Sequence, residues 1–319
     1  MPRTLVRTSE RTQFKRCRQA WWWSYVDHLK PMTAAPALRF GGLVHQALAE
    51  RYPPGLKRGP HPARTFERLY ELELQEATAF GFRDEDGKWQ DAAALGVAML
   101  EGFVDEYGTD EQYRVIATEQ TFQVGFRGLV YVGTFDGVWQ DRSNRRVLFK
   151  EWKTSADNRT RHLALDEQAG AYWTFGPPWL KRKGILKPKQ ERSGILYTFL
   201  RKAMPDDRPR NADGLCLNKD GSVSKVQPPP LFHREWVYRD AGDRRSVMER
   251  VLAEATEMRM VRRGRLQVYK NPNQFNCGGC GFRDPCELHE TQADWPALMK
   301  AAFVSWEPYG AHDEGSHSA

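Results

Sequence analysis

The chain predicts a mixed α/β fold: a central sheet flanked by helices, with a helical N-terminal part and a cysteine-rich C-terminal closure. Three observations predict it. Apolar residues recur at helical spacing through the first third, the period then drops from 3.6 to 2 over three successive segments, and a helix and a further strand follow.

In SERTQFKRCRQAWWWSYVDHL, Ser9 is placed to cap a helix on which Phe14, Cys17 and Trp21 fall three and four apart, on one face. After the break KPMTAAP, RFGGLVHQALAERY predicts a short helix with Phe40, Val44 and Leu48 aligned. Its two glycines would let it approach other backbone closely. Helices over 63–80 and 88–107 are separated by the turn FRDEDGK. RVIATEQTFQV (114–124), LVYVGTFDGVWQ (129–140) and RRVLFKEWKT (145–154) read as consecutive strands, with DRSNR as the hairpin between the last two.

A helix over 162–175 and the strand GILYTFLRK (194–202) come next. Residues 203–230, rich in Pro, Asp, Asn and Gly, read as an insertion with a small hairpin around Asp220-Gly221. REWVYR (234–239) predicts an edge strand, DRRSVMERVLAEATEMRMV an amphipathic helix, and EPYGAHDEGSHSA a frayed tail. The expected organisation is a helical part at 1–110, a core at 111–202, the insertion at 203–230, a strand, helix and Cys-rich loop at 231–290 and a tail at 291–319. All of it fits one compact domain of 319 residues.

Hydrophobic residues are 40% of the chain and no apolar run approaches a membrane span, and the N-terminus lacks an apolar leader core. The expectation is a soluble protein of the cytoplasm, or of a host's cytoplasm if viral, with no membrane partner. A net charge of +7 favours an anionic partner. The basic stretch LKRKGILKPKQER offers Lys181, Arg182, Lys183, Lys187 and Lys189 as candidate nucleic-acid contacts, the alternative being a solvated surface. The five cysteines do not suit a disulfide framework. Cys216 falls in the insertion hairpin and reads as structural. NPNQFNCGGCGFRDPCE carries Cys277, Cys280 and Cys286, one thiol short of a tetrahedral metal or a cubane cluster.

The strands carry the candidate chemistry. At period 2, Val132, Thr134, Asp136 and Val138 share one face, as do Val147, Phe149, Glu151 and Lys153. Antiparallel pairing across the DRSNR turn sets Asp136 and Glu151 in adjacent strands, where two carboxylates repel unless a cation sits between them. Such oxygen-rich sites suit Mg²⁺ or Mn²⁺. Lys153 reaches the same pocket and could stabilise phosphoryl charge, and the backbone carbonyl of Trp152 offers another oxygen ligand. His45, directly after GGLV, could complete the shell. Gln168 and Tyr172, four apart in DEQAGAYW, share a helix face from which both could bond a phosphate or Tyr172 could stack on a base.

In this order, GGLVH, GTFDGV, EWKT and QAGAY resemble the RecB-like branch of the PD-(D/E)xK nuclease superfamily, over residues 10–290. The resemblance implies a nuclease core with His45, Asp136, Glu151 and the Trp152 carbonyl as ligands of Mg²⁺ or Mn²⁺. It implies Lys153 as the catalytic lysine and Gln168 and Tyr172 as the branch's glutamine–tyrosine helix motif. Glu151 stands where many relatives have Asp, as the superfamily pattern permits. The iron–sulfur subset, which includes CRISPR-associated exonucleases, has one cysteine before the core and three after it. Cys17, Cys277, Cys280 and Cys286 match that layout and imply a structural [4Fe–4S] cluster, although Arg18 stands where relatives often have proline. Zinc is the competing occupant of the four thiols. The implied activity is metal-dependent hydrolysis of DNA, exonuclease before endonuclease. The alternatives are a non-catalytic binding or assembly subunit and a zinc- or redox-dependent thiol module. No helicase motif is present, so a helicase or recombination protein would be a separate partner.

Overall fold

The computed structural model describes residues 4–32, 36–79, 81–84, 86–188 and 190–310. The chain starts with a short strand β1 (Thr4–Val6), helix α1 (Thr8–Arg16) and helix α2 (Arg18–Trp21), which runs on through a π turn at Trp22–Val26. Strand β2 (Leu29–Pro31) leads to α3 (Pro36–Arg51), α4 (Pro62–Ala79) and α5 (Lys88–Tyr107). The three strands foreseen from period 2 are β3 (Tyr113–Phe126), β4 (Leu129–Asp141) and β5 (Val147–Ser155). After α6 (Glu167–Arg182) come β6 (Arg192–Arg201), β7 (Phe232–Val237) and α7 (Ala241–Arg262). The chain closes with α8 (Gln274–Cys277), α9 (Arg283–Glu290), α10 (Trp295–Ala302) and β8 (Phe303–Ser305).

Six strands form one mixed sheet in the order β1-β4-β5-β6-β7, with β3 also on β4. The β1–β4 and β5–β6 pairs are parallel and the others antiparallel. Buried aromatic and aliphatic side chains fill both faces. One layer packs Phe135, Phe149 and Tyr197 under Trp173 and Phe175 of α6 and Val251 of α7. The other packs Trp139, Trp152 and Leu196 under Val44, Phe66 and Phe103 of α3, α4 and α5. Burial on both faces accounts for the near-continuous apolar character of β6.

Four local expectations are corrected. Helix α1 starts after Arg7, so Ser9 lies inside the helix and does not cap it. The N-terminal helix also breaks at Cys17, whose backbone is extended (φ −163°, ψ 117°), so Cys17 does not continue the face of Phe14. Third, α6 passes through Pro177 and Pro178 and ends at Arg182. Each proline forfeits a backbone bond, and the Thr174 hydroxyl beneath them is buried without a partner. Burial of Pro177, Trp179 and Leu180 in the core carries the helix past this loss. Fourth, only one of the two glycines of α3 serves close approach: a Cβ on Gly41 would lie 3.1 Å from the Thr154 hydroxyl, whereas Gly42 faces nothing within 4 Å.

The insertion carries paired bridges Arg210↔Cys216 and Leu217↔Val223, a small hairpin as expected, with Cys216 buried in it. Lys189 and the last part of the tail, 311–319, lie outside the described residues.

Candidate active site

The site sits where β4 changes neighbours. Along one edge, β4 pairs with β1 at residues 129–131 and with β5 at residues 137–140. Between them the edge at 132–136 has no strand beside it, and a cleft of about 480 Å³ opens there. Its floor includes Gly133, Thr134 and Asp136, and its wall is α1, with Thr12, Gln13 and Arg16. Buried charges hold that wall. Arg11 donates to Glu254 of α7 (2.5 Å) and lies 3.5 Å from Glu167 of α6. Glu10 accepts from the Trp21 indole (3.0 Å) and from Arg262 (2.6 Å). Ion pairs this deep fix geometry more than they add stability.

Side-chain alternation slips at the same place on two strands. Phe135 and Val138 of β4 both enter the same core layer, so period 2 is lost at Asp136–Gly137. On β3 the register sets Glu119 opposite Asp136, between the pairs Thr118↔Gly137 and Gln120↔Phe135. Glu119 adopts a left-handed backbone (φ 45°), costly for a residue with a side chain by about 1–3 kcal/mol. Both carboxylates line the cleft, and His45 of α3 stands against Asp136.

His45, Glu119 and Asp136 present ligand atoms all within 4.8 Å of one another, a candidate metal-coordination site. Asp136 is the hub: Oδ1 lies 3.5 Å from His45 Nδ1, and Oδ2 accepts the Trp152 amide at 2.7 Å. A strand residue directs its N–H and C=O to the same side, so the Trp152 carbonyl faces the same gap. Glu151 is fully buried; its Oε1 accepts from Lys153 Nζ at 2.6 Å, while Oε2 has no hydrogen-bond partner. Glu119 Oε1 is likewise buried and unpartnered. Two orphaned carboxylate oxygens beside a third carboxylate and an imidazole are what a hard divalent cation would satisfy.

Lys153 is held by a chain of hydrogen bonds. Its ammonium also donates to Gln168 Oε1 (2.7 Å), the Gln168 amide donates to Tyr172 Oη (2.6 Å), and Tyr172 donates to the Thr134 carbonyl. Gln168 and Tyr172 therefore share a helix face as foreseen and serve to place the lysine. The expected base-stacking role of Tyr172 is overturned, because its ring is buried against Phe122 and Phe135.

The electrostatics follow from crowding. Burial, then the Asp136 charge, pushes the Glu151 carboxyl up to about 8, with Lys153 opposing. The same two causes push Glu119 up to about 7. Burial works against a charged His45, but Asp136 outweighs it and raises the imidazole to about 9. All three folded-state values lie above their unfolded ones, so at these groups the metal-free fold binds more protons than the unfolded chain. Their contribution to stability is present at low pH and is lost as pH rises from about 4.5 towards 9. We expect the metal-free protein to lose on the order of 3 kcal/mol between pH 5 and pH 9, about 10 °C in melting temperature. Millimolar Mn²⁺ should flatten the profile by offsetting the carboxylate charge. Scanning calorimetry at several pH values tests this, and a profile that Mn²⁺ leaves unchanged would remove the cation from the site.

Beneath the site Lys150 is fully buried, donates to the Thr198 hydroxyl, and lies 5.5–5.6 Å from the Trp139 and Trp152 rings. Burial drives its pKa well below 10.5. Arg234 forms a two-point bond to Asp110 nearby (2.7 and 2.6 Å). Neither was singled out from sequence, and neither was Glu119.

Elsewhere, Cys17, Cys277, Cys280 and Cys286 line a single cavity of about 600 Å³, with Trp23 and Phe282. Burial raises the Cys286 thiol; Lys270 opposes, and the other three sulfurs add to the rise. The Arg16 guanidinium, on the cleft wall, donates to the Asn276 carbonyl at 2.5 Å and to that of Phe275 at 3.2 Å. Of the basic stretch, Arg182 donates to the Gln123 carbonyl and Lys183 lies over the Trp179 ring, both at the C-terminal end of α6, with Lys181 also on its last turn. Lys187 lines a different groove, with Arg114 and Arg145.

No curated protein matches the chain. Among solved structures, one titled "Crystal structure of SSO0001" is similar at 12% identity, covering 68% of this chain and 77% of its own, with a TM-score of 0.29. The family model described as the PD-(D/E)XK nuclease superfamily matches residues 8–287. That span takes in strands β3 to β7, the His45, Glu119 and Asp136 group and all four clustered thiols, and the chain belongs to the PD-(D/E)XK nuclease superfamily.

Proposed function

We propose that this protein is a Mg²⁺- or Mn²⁺-dependent deoxyribonuclease of the RecB-like branch, working as an exonuclease on DNA. The observation that carries the reading is the grouping of His45, Glu119 and Asp136 within 4.8 Å of one another, with Glu119 Oε1 buried and unpartnered and the Lys153 amine bonded to the buried Glu151. His45, Asp136 and Glu119 would hold the cation, with Glu151 and the Trp152 carbonyl completing its shell. When bound, the cation supplies charge compensation at the phosphoryl group and a water of lowered pKa.

The chain's own residues do the rest. Lys153, kept protonated at neutral pH because Glu151 outweighs the cost of burial, stabilises charge that builds on a phosphoryl oxygen. Gln168 and Tyr172 hold that amine in place. Trp152 fixes one Asp136 oxygen through its amide and leaves the other for coordination. The α1 wall orients the strand and narrows access of bulk water.

Four thiols around one cavity support a structural [4Fe–4S] cluster as occupant. Zinc is the competing occupant of the four thiols, and metal analysis of protein isolated without air separates the two. An exonuclease of this kind would take strands opened by a separate helicase or recombination protein.

The test is degradation of linear and closed-circular DNA, single- and double-stranded, with Mg²⁺ or Mn²⁺ and with chelator. Metal-dependent loss of linear forms is expected, and Lys153→Met should slow it by at least about a hundredfold. Equal cutting of closed circles would defeat the exonuclease assignment, and no cutting of any form would defeat the nuclease.

A further inference from the structure

We propose a second nucleic-acid site, a phosphate-binding groove at the β4–β5 hairpin end of the sheet, apart from the cleavage cleft. This proposal rests on the nuclease reading and gives the strand a second holding point. The groove measures about 780 Å³ and draws residues from three separate segments: Arg114 of β3, Arg145 and Arg146 of the hairpin, and Lys187 after α6. The acid lining it, Glu191, is taken by Arg146 at 2.8 Å. The Arg114, Arg145 and Lys187 side chains have no acidic partner among the described residues.

Arg145 is held there deliberately by the backbone. Its φ of 63° is left-handed, a strained setting for a side-chain-bearing residue. Its carbonyl accepts from the amides of Gln140 (3.0 Å) and Gln190 (3.3 Å), and its N–H donates to the Asp141 carbonyl at 2.8 Å. The main chain is thus clamped from β4 and a loop, while the guanidinium stays unpaired over the groove. Unpaired cations spaced around an open groove match the repeating charge of a phosphodiester chain better than one compact anion. Arg114 is paired in register with Gln140, four residues from Asp136, about 13 Å along the strand at 3.3 Å per residue. Along a duplex axis that offset corresponds to about four phosphates of one strand at 3.4 Å of rise each, and to fewer along an extended single strand. A strand of a few nucleotides can therefore fill the cleft alone, and a longer one can engage both sites.

Binding is measured with fluorescent oligonucleotides on the full chain, without added metal and with chelator so that no strand is cut, across a salt series. The pair Arg114→Gln/Arg145→Gln is compared with Lys219→Gln/Lys225→Gln, which removes two exposed cations of the insertion, outside the groove. For a 20-nucleotide single strand, the groove pair should bind about tenfold more weakly and lose about 1.4 from the salt slope, at about 0.7 per contact. The remote pair should retain the wild-type slope, and both should keep the wild-type melting temperature. Equal effects of the two pairs would overturn the groove and leave the cleft reading standing. Failure of the wild-type protein to bind or cut any strand would overturn both. Displacement of the strand by inorganic phosphate or a mononucleotide at equal potency would assign the groove to a small anion and overturn the nucleic-acid site.

Discussion

Asp136→Ala should abolish the proposed DNA degradation, with single-turnover rates in Mn²⁺ at least about a thousandfold below wild type, a barrier increase of about 4 kcal/mol. Asp136 is the carboxylate common to every contact that would hold the cation: it faces His45, it lies opposite Glu119 across β3, and its charge acts on Glu151. Removing it leaves two carboxylates that no longer share an ion. The same change relieves repulsion. Without Asp136, the Glu119 and Glu151 carboxyls should titrate closer to their ordinary range, and the metal-free variant should depend less on pH. Loss of the bond from the Trp152 amide costs about 1 kcal/mol and works the other way. The expected combination is activity lost, fold kept, and a flatter stability profile from pH 5 to 9. Asp136→Asn, which keeps the shape, should be equally inactive. Retained degradation by either variant would move the catalytic centre elsewhere. Activity lost only together with the melting transition would make Asp136 structural.

Cys17→Ser gives the second large effect. If the four thiols hold one cluster, serine at 17 removes bound iron and unties α1 from the loop that carries the other three. By the loop-entropy argument used for disulfides, joining residues 260 apart in sequence is worth at most about 5–6 kcal/mol. Its loss should lower the melting temperature by about 10–20 °C. Limited proteolysis should then open the chain between α7 and α9. Because Arg16 bonds the carbonyls of this loop and also walls the cleft, strand binding should weaken too. Cys216→Ser is the control: that thiol is buried in the insertion hairpin and its replacement should leave iron unchanged. Full iron content in Cys17→Ser would dismiss the four-thiol site, and stoichiometric zinc in the wild type, isolated without air, would replace the cluster.

Much of the architecture was legible because it rests on periodicity. The change from 3.6 to 2 near residue 113 reports which faces are buried, and β3, β4 and β5 lie where it places them. Asp136, Glu151, Lys153, His45, Gln168 and Tyr172 are brought together because strands and helices fix their spacing. What stayed hidden depends on departures from period. Glu119 reads as a solvent-facing residue of VIATEQTFQV until a left-handed backbone turns it inward, and no local residue announces that turn. Its one signal is a lone acid in a segment otherwise free of charge. Cys17 looked like a helix residue because its neighbours favour helix, whereas packing breaks the helix there. Helix α6 runs past its expected end at 175, through Pro177 and Pro178, because the loss of two bonds is local while the burial that outweighs it comes from distant strands. Strand β1 is only three residues long, too short for any pattern, and yet it borders the cleft.

That last strand has a consequence for biogenesis. Residues 4–6 find their neighbours at 129–131, Arg11 finds Glu254, and Arg16 finds the loop at 275–278. The side of the cleft built from residues 4–16 is therefore completed by residues more than a hundred, and up to about 260, positions further along the chain. Contacts so remote along the chain form late and slowly. A polypeptide that lacks the segment around residues 254–278 would carry the acidic cluster of His45, Glu119 and Asp136 without the contacts that hold the α1 wall beside it.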